Sequence, residues 1–124
     1  MRLPLAGALL CVSLGAHAQG SISVGSTIIC DTSEQARRFV TLRNTGNETQ
    51  QALQLINTEA NKPNACGAAF VAFRRGEAIV NERVDGQPVN IVRITVLAFN
   101  NGAGWSPVPE TEQYAVLVPL GIEV

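Results

Sequence analysis

Two cysteines constrain this chain more than any other feature of its sequence. Cys30 and Cys66 are the only cysteines beyond the first 18 residues, and they bracket a segment with two helix-like patterns. Strand-like sequence lies on both sides of that segment. A bridge between them would close a loop of about 36 residues and stabilise the fold by roughly 4 kcal/mol on the chain-entropy model.

The sequence of residues 1–18 is typical of a secretory signal peptide. Arg2 supplies a positive start, residues 3–14 form an apolar core, and Ala16-His17-Ala18 is a small-x-small cleavage site. The core is shorter than the roughly 20 residues of a membrane anchor. We therefore expect a cleaved signal, a single domain over residues 19–124, a periplasmic or secreted location and no membrane span after cleavage.

Export bears on the chemistry of the two cysteines. In an oxidising compartment a matched pair usually forms a structural disulfide, which predicts a Cys30–Cys66 bridge. The alternative is a reactive thiol at Cys30, because the helix start that follows it would lower the thiol pKa. The chain has no CxxC spacing, which favours the structural bridge.

Composition argues against several classes of site. The only histidine, His17, leaves with the signal peptide, so the mature chain lacks any Ser-His-Asp or Cys-His arrangement and any histidine metal ligand. Bridged cysteines would not bind zinc or an iron–sulfur cluster. After loss of Arg2, eight Lys and Arg face ten Asp and Glu, a net charge of −2. We expect no catalytic residue, metal, cofactor or nucleic-acid partner.

Two short helices are predicted between the cysteines. Thr32 and Gln35 have capping-box spacing, and an apolar stripe follows at Ala36, Phe39 and Val40. Asn47 or Thr49 is expected to cap a second helix that continues to about Ala60. Its apolar stripe is Ala52, Leu53 and Ile56.

Strand patterns precede and follow the helices. A first strand is expected to end at Cys30, and residues 66–73, 78–80, 89–99 and 114–118 have strand-like composition. Residues 66–73 are apolar on both faces, which indicates a central strand. Arg74-Arg75-Gly76-Glu77 predicts one hairpin turn and Asp85-Gly86 another.

The predicted fold class is α+β: a strand, two short helices, then about four antiparallel strands in one curved sheet with one disulfide. The pattern leaves two shapes open. The sheet either stays open under the helices or closes toward a small SH3-like barrel.

Motifs around both cysteines support this framework. Ile29-Cys30-Asp31-Thr32-x-Glu34-Gln35 and Ala65-Cys66-Gly67, with Val40-x-Leu42-Arg43 and Asn57-x-Glu59-Ala60 between them, resemble a group of small exported bacterial proteins of unknown function. The resemblance covers most of the mature chain. It implies a cell-envelope location and carries no site residue or ligand.

Trp105 is the sharpest candidate for a binding residue. It is the sole tryptophan and follows a glycine-rich loop, where recognition aromatics often lie. We favour an inward placement that plugs the open end of the sheet, and the alternative is an exposed recognition aromatic. Tyr114 is expected near it if the connection from residue 100 to residue 113 folds back.

Charged residues supply two further hypotheses. A basic patch for an anionic sugar or a peptide carboxylate would form if the first helix lay over Arg74 and Arg75. The residues that would build it are Arg37, Arg38, Arg43, Arg74 and Arg75. Glu110 and Glu112 would share a strand face and suggest a carboxylate-dependent enzyme, although solvated acids are the commoner outcome.

The leading functional hypothesis is a non-catalytic module that binds an envelope protein, peptide or glycan through Trp105 or a sheet edge. An alternative is an inhibitor of a secreted hydrolase. A carboxylate-dependent enzyme is the third hypothesis.

Overall fold

The computed structural model describes residues 21–117, so the predicted signal peptide and residues 118–124 lie outside the described part. The elements in chain order are β1 (Ile22–Cys30), α1 (Ser33–Asn44), α2 (Thr49–Ala60), β2 (Cys66–Val84), β3 (Gln87–Asn100) and β4 (Trp105–Leu117). The strands pair antiparallel in the order β1-β2-β3-β4 and close into a barrel. The predicted α+β class is confirmed, and the sheet is closed and does not stay open under the helices.

The barrel closes through a short seam between its first and last strands. β1 pairs with β4 only where Ile28, Ile29 and Cys30 face Val116, Ala115 and Tyr114. The chain then leaves the sheet because Asp31 and Thr32 turn it into α1. Among the described residues, β4 from Trp105 to Gln113 therefore has only β3 as a strand neighbour.

Side-chain alternation divides the apolar residues into two clusters. One fills the barrel interior and consists of Ile29, Val71, Phe73, Val92, Ile94, Val96 and Ala115. The other joins both helices to the outside of the barrel. It contains Cys30, Ala36, Phe39, Val40, Leu42, Ala52, Leu53, Ile56, Cys66 and Ile91. Each strand residue faces the opposite side from its neighbour, so the strands serve both clusters.

The helix starts follow the predicted chemistry in one case and depart from it in the other. Thr32 Oγ1 accepts from the Gln35 N–H at 3.1 Å, and Gln35 Oε1 accepts from the Thr32 N–H at 3.1 Å. The N-cap of α2 is Glu48, where the sequence predicted Asn47 or Thr49. Asn47 instead donates through Nδ2 to the Leu42 carbonyl, so its side chain satisfies an acceptor in the last turn of α1.

The predicted hairpin turn at Arg74–Glu77 is wrong, because β2 runs through it without a break. The register with β3 shifts there, which marks a β-bulge. A Cβ atom at Gly76 would lie 2.7 Å from the Arg93 carbonyl oxygen. Glycine is needed at this position for close approach of a neighbouring strand. The turn at Asp85-Gly86 is confirmed, with φ of 51° and 81°.

The disulfide Cys30–Cys66 is present and buried. Its cysteines are register partners on β1 and β2 with their Cα atoms 4.0 Å apart, so the bridge joins two strands. Asn57 of α2 adds a second tie at this point: Oδ1 accepts from the Cys66 N–H at 2.8 Å, and Nδ2 donates to the Cys66 carbonyl at 3.1 Å. Strand pairing and a helix side chain thus fix both ends of the helical segment.

Candidate functional site

Trp105 lies on the outer surface of the barrel beside Phe70. The two ring centroids are 5.3 Å apart and the ring planes are tilted by 43°. Trp105 is 44% exposed and Phe70 is 41% exposed. The favoured inward placement of Trp105 is therefore not observed, and the exposed alternative describes its position.

The sheet register extends this aromatic pair into a mainly apolar surface, in which Ser26 and Asn100 are the polar register partners of Phe70 and Trp105. Val24 faces Ala72 across β1 and β2, and Ala72 faces Ala98 across β2 and β3. Directly paired residues share a face of the sheet, as do residues two apart on one strand. We call this surface the aromatic face and define it by Ile22, Val24, Phe70, Ala72, Ala98 and Trp105.

Neither helix contributes to the aromatic face. The helices pack on a different part of the barrel exterior, where Ile28, Val80, Val84, Val89, Tyr114 and Val116 join the cluster that contains the disulfide. Ile22 and Val24, by contrast, are each 57% exposed. Within residues 21–117, the aromatic face thus has the composition of a packing surface and no element over it.

Phe70 is a member of this face that sequence reasoning missed. Residues 66–73 are apolar at alternate positions on both sides, which predicted a strand buried on both faces. Val71 and Phe73 do face the barrel interior and are buried, but Phe70 faces outward and is exposed. The available signal was the apolar composition of both sides of this strand. It indicates that both sides need to be covered, but it does not identify what covers them.

Tyr114 does not lie with Trp105. It is nine residues further along β4 and packs on the helix-covered cluster. Its ring lies under the Arg93 guanidinium, with 5.9 Å from the guanidinium carbon to the ring centroid. Proximity to Tyr114, followed by the charges of Glu112 and Glu77, raises the pKa of Arg93 above its ordinary value, and desolvation opposes this rise.

The basic patch on which the anionic-ligand hypothesis depends does not form as proposed. The end of α1 lies over the turn between β2 and β3, where Arg43 pairs with Asp85 at 3.0 Å. Arg38 pairs with Glu59 on α2 at 2.7 Å. Arg74 borders the aromatic face and faces Glu110 at 3.5 Å. Arg75 is the register partner of the interior residue Ile94, on the opposite side of β2 from Arg74.

Glu110 and Glu112 lie on β4, each beside a different arginine. Glu110 faces Arg74, and Glu112 lies 3.8 Å from Arg93. Both carboxylates are exposed. These contacts are typical of surface ion pairs, which contribute little to stability.

A concave region lies at the mouth of the barrel, where β1 ends. It has a volume of about 460 Å³, and its apolar lining comes from Ile29, Ala69, Val96, Phe99 and Val108. Polar residues complete it: Asp31, Lys62, Asn64, Thr111 and Gln113. We call this cavity the mouth pocket.

Two further observations concern residues 21–117. No group of three or more His, Cys, Asp or Glu side chains in this range is placed to hold a metal ion. Neither α1 nor α2 is long and apolar enough to span a membrane.

Comparison with protein-family models, curated proteins and solved structures found no match for the chain.

Proposed function

We propose that this protein is an exported, non-catalytic binding module that docks through its aromatic face onto an apolar surface of another envelope or secreted protein. The observation that carries the proposal is the exposed Phe70–Trp105 pair on a sheet face that no described element covers. Contiguous exposed apolar surface on a small domain marks interaction sites. The disulfide suits an oxidising compartment such as the periplasm.

The shape and composition of the face favour a protein partner over a glycan. The two rings are tilted by 43° to each other, so together they do not form one flat platform on which a sugar ring could lie. The aliphatic side chains of Val24 and Ala72 lie diagonally beside Phe70 and along its strand, while the uncharged polar residues Ser26 and Asn100 are the direct register partners of Phe70 and Trp105. An uneven aromatic surface of this kind suits packing against the side chains of a partner protein, where aromatic residues dominate binding energy.

The aromatic face also has a charged border that would orient a partner. Arg74 and Glu110 form an ion pair at its edge, and both side chains are accessible. Rim charges of this kind affect the rate of association and its salt dependence more than affinity. The energetic centre of the proposed interface is therefore Trp105 with Phe70.

The test begins with affinity capture from the envelope of the exporting cell, followed by calorimetry with the purified partner. Trp105→Ala should weaken the measured affinity at least about 30-fold, the size of a hot-spot effect of 2 kcal/mol. Leu55→Ala is the matched control, because Leu55 is 42% exposed and lies on α2. The control should leave the affinity within about twofold.

Three results would contradict the proposal. Equal affinity of the Trp105→Ala and native proteins would remove the aromatic face from the interface. If Trp105→Ala lost binding to isolated cell-wall glycan and kept every protein partner, the face would be identified as a sugar site. A concentration-dependent dimer of the native protein that Trp105→Ala abolishes would identify the partner as a second copy.

A further inference from the structure

The mouth pocket lies beside a strand position that the fold leaves vacant. Cys30 is the last β1 residue paired with β4, opposite Tyr114. Asp31 remains next to β4, since Gln113 Nε2 donates to Asp31 Oδ1 at 3.3 Å, but Thr32 then begins the cap of α1. Thr111 and Glu112 pair with Val96 and Thr95 of β3, and no strand of the described chain lies on their other side.

The pocket beside this free edge continues into the barrel interior. Val96 belongs to the interior cluster and is the register partner of Thr111. Three β4 residues, 108–110, lie opposite the single β3 residue Leu97, which makes an irregularity in β4. Val108 in this irregular segment lines the pocket. Bulges often redirect side chains in this way next to binding sites.

The polar rim of the pocket is balanced in charge. Asp31 Oδ2 accepts from Lys62 Nζ at 2.7 Å, while Asp31 Oδ1 accepts from Gln113. The Lys62 side chain is 57% exposed, so its ammonium can donate to a further acceptor. A neutral rim over an apolar floor suits a ligand with uncharged polar groups and an apolar body.

We propose that the mouth pocket binds a short extended peptide segment that carries one apolar side chain. The segment pairs through its backbone with the β4 edge at Thr111 and Glu112, and its side chain enters the pocket. This is strand addition, in which backbone hydrogen bonds give affinity and a side-chain pocket gives specificity. Pro107 and Pro109 lack N–H groups and protect the earlier part of β4, so the paired segment is short.

This site is separate from the aromatic face and does not rest on the function proposed for it. The two can therefore fail independently. Trp105→Ala leaves the lining of the mouth pocket intact and should not change peptide binding there.

Isolated peptides test the proposal on the mature protein labelled with ¹⁵N. Titration with N-acetyl-leucyl-alaninamide should shift the amide signals of Gly67–Ala69 and Thr111–Gln113 along a saturable curve. N-acetyl-glycyl-alaninamide should bind roughly 10- to 100-fold more weakly, since it lacks the side chain that fills the pocket. Methylation of the leucine amide nitrogen should also weaken binding, because it removes a backbone N–H that pairs with the β4 edge.

A protein variant makes the same test without changing the peptide. A Cβ atom at Gly67 would meet no atom within 4 Å, and Gly67 is the register partner of the interior residue Ile29. Gly67→Val therefore places a side chain in the pocket and should abolish leucyl binding while the protein remains folded. Gly25→Val adds the same side chain on β1, where a Cβ also meets no atom within 4 Å, and should leave binding unchanged.

Three results of these titrations would overturn the proposal. Equal binding of the leucyl and glycyl peptides would exclude the pocket as the side-chain site. Undiminished binding of the N-methylated peptide would exclude pairing with the β4 edge. Binding of octanoate at these residues, with no response to either peptide, would identify the ligand as an apolar carboxylate.

Discussion

The two outer faces of the barrel carry similar apolar residues and differ in what lies over them. On one face α1 and α2 cover Cys30 and Ile91, which are 0% exposed. On the other, Val24 and Trp105 are 57% and 44% exposed. Both helices of residues 21–117 therefore pack on one face of the barrel. The second face has the chemistry of a packing surface, which is the reason for assigning it to a partner.

β2 contributes to both faces and changes its course between them. Phe70 lies on the aromatic face, whereas Val80 and Val84 pack under the helices. The bulge at Gly76 lies between these two parts of the strand. One continuous strand therefore serves both faces, and the irregularity at Gly76 bends it between Phe70 and Val80.

Removal of the disulfide should give the largest loss of stability, since the bridge lies under the helix-covered face. A Cys30→Ala, Cys66→Ala variant should lose about 4 kcal/mol of unfolding free energy. Urea denaturation measures the change. The Trp105→Ala protein provides the comparison from the uncovered face. An equal loss of unfolding free energy in both variants would contradict the distinction between a covered face and an uncovered one.

Ile56→Ala should be nearly as damaging. Ile56 is 1% exposed between α2 and the barrel, and its truncation should cost about 2–5 kcal/mol through lost burial and a cavity. Leu55→Ala, one residue earlier on the exposed side of α2, should change stability by less than about 0.5 kcal/mol. Thermal denaturation measures both variants. Equal losses of stability would refute the placement of Ile56 on the buried side of α2 and Leu55 on its exposed side.

Gly76→Ala should have an intermediate effect, because the added methyl group would collide with the Arg93 carbonyl and both strands would have to shift. We expect a loss of roughly 1–3 kcal/mol in chemical denaturation. Gly67→Ala is the control, since its methyl group would meet open space. A neutral Gly76→Ala variant would show that the bulge does not depend on glycine.

Trp105→Ala should have the smallest effect on stability. The residue is exposed and its main ring contact is Phe70, so about 1 kcal/mol or less is expected. Chemical denaturation followed by circular dichroism measures it without relying on tryptophan fluorescence. A loss comparable to that of Ile56→Ala would mean that Trp105 belongs to the fold and not to a binding surface.

Local patterns predicted much of this fold. The cap at Thr32, the apolar stripe of α2, the Asp85-Gly86 turn and the Cys30–Cys66 bridge all depend on residues whose chemistry acts at short range or has one possible partner. The position of Gly76 could not be resolved in this way. Glycine suits both a turn and a close strand approach, and only the position of Arg93 on β3 decides between them.

The candidate site was harder to predict because it depends on register. Trp105 was identified from its rarity and its loop context, but Phe70 comes from a strand 35 residues earlier. Tyr114 was expected near Trp105 if the connection from residue 100 to residue 113 folded back, but β4 is extended there and carries Tyr114 to the other outer face. The mouth pocket had no sequence signal, since its lining comes from all four strands and two connecting segments.

The exposure of Trp105 in the isolated protein tests the contrast between the two faces most directly. As the sole tryptophan, Trp105 reports its own surroundings without interference. We predict that acrylamide quenches its fluorescence readily in the native protein, with an emission maximum close to that of the unfolded chain. A blue-shifted emission protected from acrylamide would show that the chain covers Trp105 itself, and would contradict an aromatic face left free for a partner.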